Sequence, residues 1–293
     1  MHSRFIISLD FELKWGIFDV LGDEYHSNIL GARTAIPQIL DLFENNNIKA
    51  TWAIVGFLFA HSKADLKKFK PSLTPNYDNF NLDPYKQKIG ESEELDKLNY
   101  AGSIVNLINQ TNNQEIASHT YCHYYCKESG QTKSEFEQDI KSMVSISNEK
   151  ISKPITAIVF PRNEVNIEYF DILIKHGFTH FRGNPKHFCY SKGHRRFNLP
   201  IRLLRFLDSY LNITGNQVSI KEMQNGLINI IGNRVLRPYS SISILNFLMV
   251  RRIKNEMLYA AKNKKDYQIF WHPHNFGVNI EKNLENLSRI IDY

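Results

Sequence analysis

Short apolar runs alternate with segments of helical period along most of the chain, and that alternation restricts it to a parallel sheet with helical crossovers. The first cycle is "RFIISLDF", then "TAIPQILDLFENNN" with apolar residues at helical spacing, then "IKATWAIVGF". Later cycles follow the same order. "AGSIVNLINQT" reads as helix, "QEIASH" as strand, "KSEFEQDIKSMVSISNEK" as amphipathic helix, "ITAIVF" as buried strand, "EYFDILIKHG" as helix and "FTHFRG" as strand. A long helix over 241–264, the strand "YQIFW" and a final helix from about 281 complete the pattern, in a sheet either open or closed into a barrel.

One domain over residues 1–293 is expected, since α/β barrels reach this length as a single unit. Residues 61–99, with Pro71, Pro75 and Pro84, read as an insertion above the scaffold, and residues 184–235 as a less regular region. Three cysteines are too few and too odd for a disulfide framework and fit a reducing compartment. The opening residues enter a strand at once, with no signal peptide and no membrane-span-length apolar run elsewhere, so a cytoplasmic location is expected. The net charge of +6 suits an anionic partner. No basic motif with interleaved aromatics points to nucleic acid.

Asp10, Glu12, His119, Arg162 and His272 all lie at or just past the C-terminal end of a predicted strand, the edge where parallel α/β folds build their sites. The segment "EIASHTYCHYYC" places His119 and His123 four apart. With 11 histidines in 293 residues, chance alone yields roughly 0.4 such pairs, so spacing by itself has little weight. His176 and His180 share it, yet Gly177 ends a helix between them, and they read as structural. If 119–126 turns helically, His119 and His123 face one way and can share a metal, while Cys122 and Cys126 read as small packing residues.

A third ligand is then needed. Asp10 and Glu12 alternate onto one face of the first strand, so one can bind metal while the other serves as general base; the plainer reading is two solvated acids at a strand end. Arg162 could grip a carboxylate by a bidentate bond, or be a surface arginine. His272, with His274 close by in "FWHPHNFG", could protonate a leaving amine, or be a polar turn residue.

Together these residues resemble the polysaccharide deacetylases, the NodB-homology proteins of carbohydrate esterase family 4. "SLDFE", "SHTYCH", "FPRN" and "IFWH" occur in the family's motif order, and the resemblance runs from residue 4 to about 277. It implies a distorted (β/α) barrel of seven or eight strands. It also implies a divalent metal, zinc, held by Glu12, His119 and His123, with Asp10 as base, Arg162 orienting it and His272 as general acid. The oxyanion would rest on the metal and a backbone amide near Tyr121. Two departures stand out: Phe11 occupies the position where many members carry a second aspartate, and the third motif departs from the usual arginine and proline order.

The resemblance is nearest to members of surface-polysaccharide assembly and implies N-deacetylation of an acylated amino sugar, as a nucleotide sugar or lipid-linked glycan. Rival readings are a deformylase or other amide hydrolase on the same scaffold and a noncatalytic sugar-binding homologue. Residues 195–211, basic and apolar, suit peripheral contact with the inner membrane face, although a solvated helical face is the plainer reading.

Overall fold

Strand β1 (Phe5–Phe11) lies inside a nine-stranded sheet in a computed structural model that describes residues 3–151, 153–190, 199–219 and 221–293. The other strands are β2 (Ala50–Ile54), β3 (Gln114–Ser118), β4 (Ala157–Ile158), β5 (His180–Gly183), β6 (Glu222–Gln224), β7 (Leu227–Ile231), β8 (Arg234–Val235) and β9 (Tyr267–Trp271). Their order is β6-β7-β5-β4-β3-β2-β1-β9-β8, and every pairing is parallel except β6 with β7.

The stretch 227–235 closes the sheet. Its first half, β7, pairs with β5, and its second half, β8, pairs with β9. Between them the Gly232 amide bonds to the Gly183 carbonyl at 3.0 Å and the Asn233 amide to the Gln268 carbonyl at 3.0 Å. Counting that stretch once, seven strands run round a distorted barrel, with β6 added as a hairpin. The region 184–235, hard to read in the sequence, thus holds the closing strands and helix α6 (Leu199–Asp208).

The remaining helices are α1 (His26–Asn45), α2 (Lys63–Lys68), α3 (Gly102–Gln110), α4 (Lys133–Ile151), α5 (Phe170–Lys175), α7 (Ser243–Lys262) and α8 (Ile280–Ile291). Helix α1 begins at His26 rather than at Thr34, and it buries Ile29, Ala32, Ile36, Leu40 and Phe43 at spacings of three and four. Strand alternation separates two interiors. Ile7, Leu9, Phe11, Trp52 and Ile54 belong to the large core beneath the helices. Ala53, Ala117 and Val159 form a separate small cluster. Asp10 pairs in register with Ala53, and Ala53 with Ala117, so Ser8 and Asp10 share the phase of these small residues. Small side chains there leave room for a polar network inside the barrel.

Residues 61–99 contain α2 and short 3-10 turns at Phe80–Leu82 and Pro84–Lys86. They pack on the site loops: the Trp15 indole donates to the Asn99 carbonyl at 2.8 Å, and the Tyr125 amide donates to the Tyr77 hydroxyl at 2.8 Å.

Candidate metal centre and hydrolytic site

Glu12 leaves the end of β1 and turns its carboxylate toward two imidazoles. Its Oε2 is 3.3 Å from His119 Nε2 and 3.1 Å from His123 Nε2. All three side chains are buried, and the three atoms lie within 4.8 Å of one another. Edges of a tetrahedron with metal–ligand bonds of 2.0–2.1 Å are about 3.3 Å long, so the spacing suits zinc. A Cβ on Gly16 would overlap the Glu12 carboxylate, so only glycine leaves space for it.

The protons on both histidines follow from their other contacts. His119 Nδ1 lies 2.8 Å from the Val159 carbonyl, which can only accept, so Nδ1 carries hydrogen. His123 Nδ1 lies 3.2 Å from the Tyr125 hydroxyl, whose own hydrogen goes to Asp19 at 3.3 Å. Nδ1 of His123 is therefore the donor there. Both Nε2 atoms then turn lone pairs toward a carboxylate oxygen, and Nε2 of His123 is buried without a hydrogen-bond partner. Burial also lowers the pKa of His123, outweighing Glu12 and favouring the neutral ring. Burial opposes the charge on Glu12 as well, yet the facing His272, His119 and His123 hold it well below the usual carboxylate range. An ionised carboxylate oxygen thus faces two imidazole nitrogens at 3.1 and 3.3 Å. The donor set fits a divalent ion.

The loop bearing these histidines is irregular, not the helical turn expected for 119–126. Thr120 and His123 have φ of 62° and 60°, a conformation that other contacts must hold. Asp139 of α4 does so by accepting the Tyr121 amide at 2.7 Å and the Cys122 amide at 3.0 Å. The Tyr121 and Cys122 amides are thus committed to Asp139, so a backbone amide near Tyr121 that could face an oxyanion is neither of these two. Burial pushes Asp139 up to about 6 despite those bonds. Cys122 and Cys126 are buried free thiols, both raised by burial. His176 and His180 turn to separate neighbours, Glu137 and Thr179.

Asp10 accepts two hydrogen bonds of 2.6 Å from Nη1 and Nη2 of Arg182, not from Arg162. This corrects the sequence expectation. Arg162, at φ 56° in the turn after β4, lies over the Tyr125 ring at 3.6 Å and pairs with Asp19 and with Glu128 at 3.0 Å. Arg182 sits on β5 in the barrel-facing phase. It donates also to Ser8 at 3.1 Å and Asn163 at 2.9 Å, and its guanidinium lies 4.2 Å from the Phe270 ring centre. Burial would raise the Asp10 carboxyl, but the Arg182 charge and hydrogen bonds outweigh it and hold the pKa below normal. Arg182 was findable, because it ends "FTHFRG" at the same sheet edge as the residues already singled out.

His272 follows β9, its Nε2 3.4 Å from Glu12 Oε1 and 3.8 Å from Asp10 Oδ2, and it remains partly open to solvent. Its ring stacks on His274 at 5.1 Å. His274 is buried, meets Tyr25 edge-on, and is lowered to about 3, chiefly by desolvation. The turn that carries it lies against α1, where side chains on Gly31 or Gly277 would strike opposing backbone.

A family model, Polysaccharide deacetylase, matches residues 23–181, more than half of the chain. The chain belongs to the polysaccharide deacetylase family. The matched stretch includes His119, His123 and Arg162, whereas Asp10, Glu12, Arg182 and His272 fall outside it. Solved structures share the fold. One from Mycobacterium smegmatis, described as a polysaccharide deacetylase, has a TM-score of 0.60 at 11% identity, covering 100% of this chain and 84% of that one. Another so described, from Pseudomonas aeruginosa PAO1, gives 0.57 at 10% identity, covering 99% and 83%. PuuE allantoinase gives 0.57 at 12% identity, again covering 99% and 83%. No curated protein matches the chain. Family membership supports a hydrolase acting on amides, in a family that is generally metal-dependent, and the Glu12, His119 and His123 cluster could hold an ion.

Proposed function

We propose that the whole chain, residues 1–293, acts as a metal-dependent hydrolase that removes an N-acyl group, acetyl foremost, from an amino sugar in surface-polysaccharide biosynthesis. The observation that carries this reading is the convergence of two imidazole lone pairs and a carboxylate oxygen beside a second, ionised carboxylate. Glu12, His119 and His123 are assigned as ligands of a divalent ion, zinc. Bound there, such an ion supplies a Lewis acid for the amide carbonyl and for water.

The other roles fall to groups beside that centre, with His272 lying between Glu12 and Asp10. Asp10 takes a proton from the attacking water, and Arg182 keeps its carboxylate charged and aimed. His272, on the solvent side, gives a proton to the departing sugar nitrogen, while His274 packs against its ring. Arg162 has a structural part, bracing Tyr125 and through it His123. The substrate is proposed to be a nucleotide sugar or a lipid-linked glycan met on the cytoplasmic side.

The test is acetate release by zinc-reconstituted protein from a panel of N-acetylated nucleotide sugars, beside N-formyl sugars and allantoin. Acetate from an amino sugar supports the proposal. Formate release, or opening of the cyclic amide alone, transfers it to another amide hydrolase. Stoichiometric metal with no turnover of any acylated sugar favours a noncatalytic homologue.

A further inference from the structure

Helix α6 is built inside out. Of Leu199–Asp208, the one residue fully buried is its aspartate. Asp208 is tied down by the Tyr190 hydroxyl at 2.7 Å, by Arg234 at 3.1 Å, and by the amides of Ile213 and Thr214 at 3.1 and 2.9 Å. Those bonds fix the helix with its opposite side outward. On that side stand Leu199 (75% exposed), Leu203 (56%), Phe206 and Leu207, spaced as one helical stripe, with exposed Leu211 just beyond the helix end. Water is a poor solvent for such a continuous strip, and folded monomers rarely expose one without a partner for it.

Charge selects the partner. Within 199–219 and 234–255, which together form α6, its fastening and most of α7, the sole acidic residue is Asp208, buried and paired. Exposed Arg202 flanks the stripe, and Arg237 lies 5.6 Å from the Phe206 ring centre. A two-fold contact between copies would set these arginines against their own equivalents, with no acid in these stretches free to answer them. A bilayer rich in anionic lipid answers both features at once: acyl chains accept the leucines, and headgroup phosphates accept exposed Arg202 at the stripe's edge, in a positive field to which Arg237 adds from behind Phe206.

We infer that the outward face of α6 docks the protein on an anionic membrane surface, lying in the interface and not crossing it. Among the described residues no helix is long and apolar enough to cross a membrane. The placement has a use. Arg205 of α6 lines a cavity with Asn163, Gly232 and Phe270, and Asn163 and Phe270 both touch Arg182. Docking therefore brings the bilayer beside the Asp10 and Arg182 end of the barrel. The inference does not depend on the reaction proposed above, and vesicle binding tests it alone.

The experiment is flotation of the full chain with phosphatidylcholine vesicles and with vesicles containing one third phosphatidylglycerol, at low and high salt, beside sedimentation velocity without lipid. Wild type should float with the anionic vesicles at least tenfold more than with the neutral ones, and salt should weaken it. Leu203→Ser with Phe206→Ser should lose at least tenfold of that binding with its thermal midpoint unchanged, and Arg202→Glu should lose part of it. Absence of wild-type binding to anionic vesicles overturns the inference, as does equal binding by the double variant. A wild-type dimer that the double variant breaks would assign the face to a second copy instead.

Discussion

Arg182 holds Asp10 across the mouth of the barrel through two parallel 2.6 Å hydrogen bonds, both partners buried. A buried pair of this kind costs about 3–5 kcal/mol when one member is removed, because the other charge is left without compensation. Arg182→Met should therefore lower the thermal midpoint. It should also reduce acetate release about 100-fold through misplacement of the base. Burial then opposes the Asp10 charge against only the weaker pull of His119 and His272, so the residual activity should need a higher pH than wild type. Arg162→Met, which leaves the Asp10 bonds intact, should lose far less. Equal losses in the two variants would return the orienting role to Arg162.

Gly16 is the second position with a sharp consequence. In Gly16→Ala the new methyl competes for the space of the Glu12 carboxylate. Zinc content should fall well below stoichiometric while circular dichroism stays native, because Gly16 itself is only part-buried, at the end of a four-residue turn whose core contacts are made by Leu13 and Trp15. Full metal retention would place the third ligand elsewhere.

Tyr125 accepts from His123 Nδ1 and donates to Asp19. Partners of this kind set the tautomer of a ligand, and their loss typically weakens metal affinity about 10–100-fold. Tyr125→Phe should show that loss in competition with a chelator. An unchanged affinity would mean that the ring orientation is fixed by packing alone.

Asp139 carries a pH signature. Its carboxyl is raised from 3.8 to about 6, chiefly by burial. A raised carboxyl favours the native state fully below its unfolded value, and the gain is lost as pH rises through the folded value. Between pH 4 and 7 wild type should thus lose about 2 kcal/mol relative to the neutral isostere Asp139→Asn. Urea midpoints of both proteins at the two pH values measure the difference.

The alternation of strand and helix was legible because its periods are local. β9 spans "YQIFW" as expected, and α4 and α7 fall within a residue or two of the predicted ranges. The shared position of Asp10, Glu12, His119 and His272 at strand ends was legible for the same reason, whereas the choice of Glu12 over Asp10 beside His119 and His123 rested on the family resemblance, and the structure brings those three side chains together. The shape of the 119–126 loop was not legible. Its left-handed turns at Thr120 and His123 depend on Asp139 and Tyr77, which are distant in sequence and invisible to local spacing. Arg182 and Arg162 show the same limit. Both end a strand segment, and only the barrel's closure reveals which one faces inward. Asp139 did leave a trace, as an acid on the apolar face formed by Phe136, Ile140 and Met143.

The metal site is the central claim, and elemental analysis of purified protein tests it most directly, with wild type measured beside Glu12→Ala and His123→Ala. About one equivalent of divalent metal in wild type, lost in both variants, is the predicted result. Wild type that binds none after reconstitution with zinc, or variants that keep a full equivalent, would contradict the account.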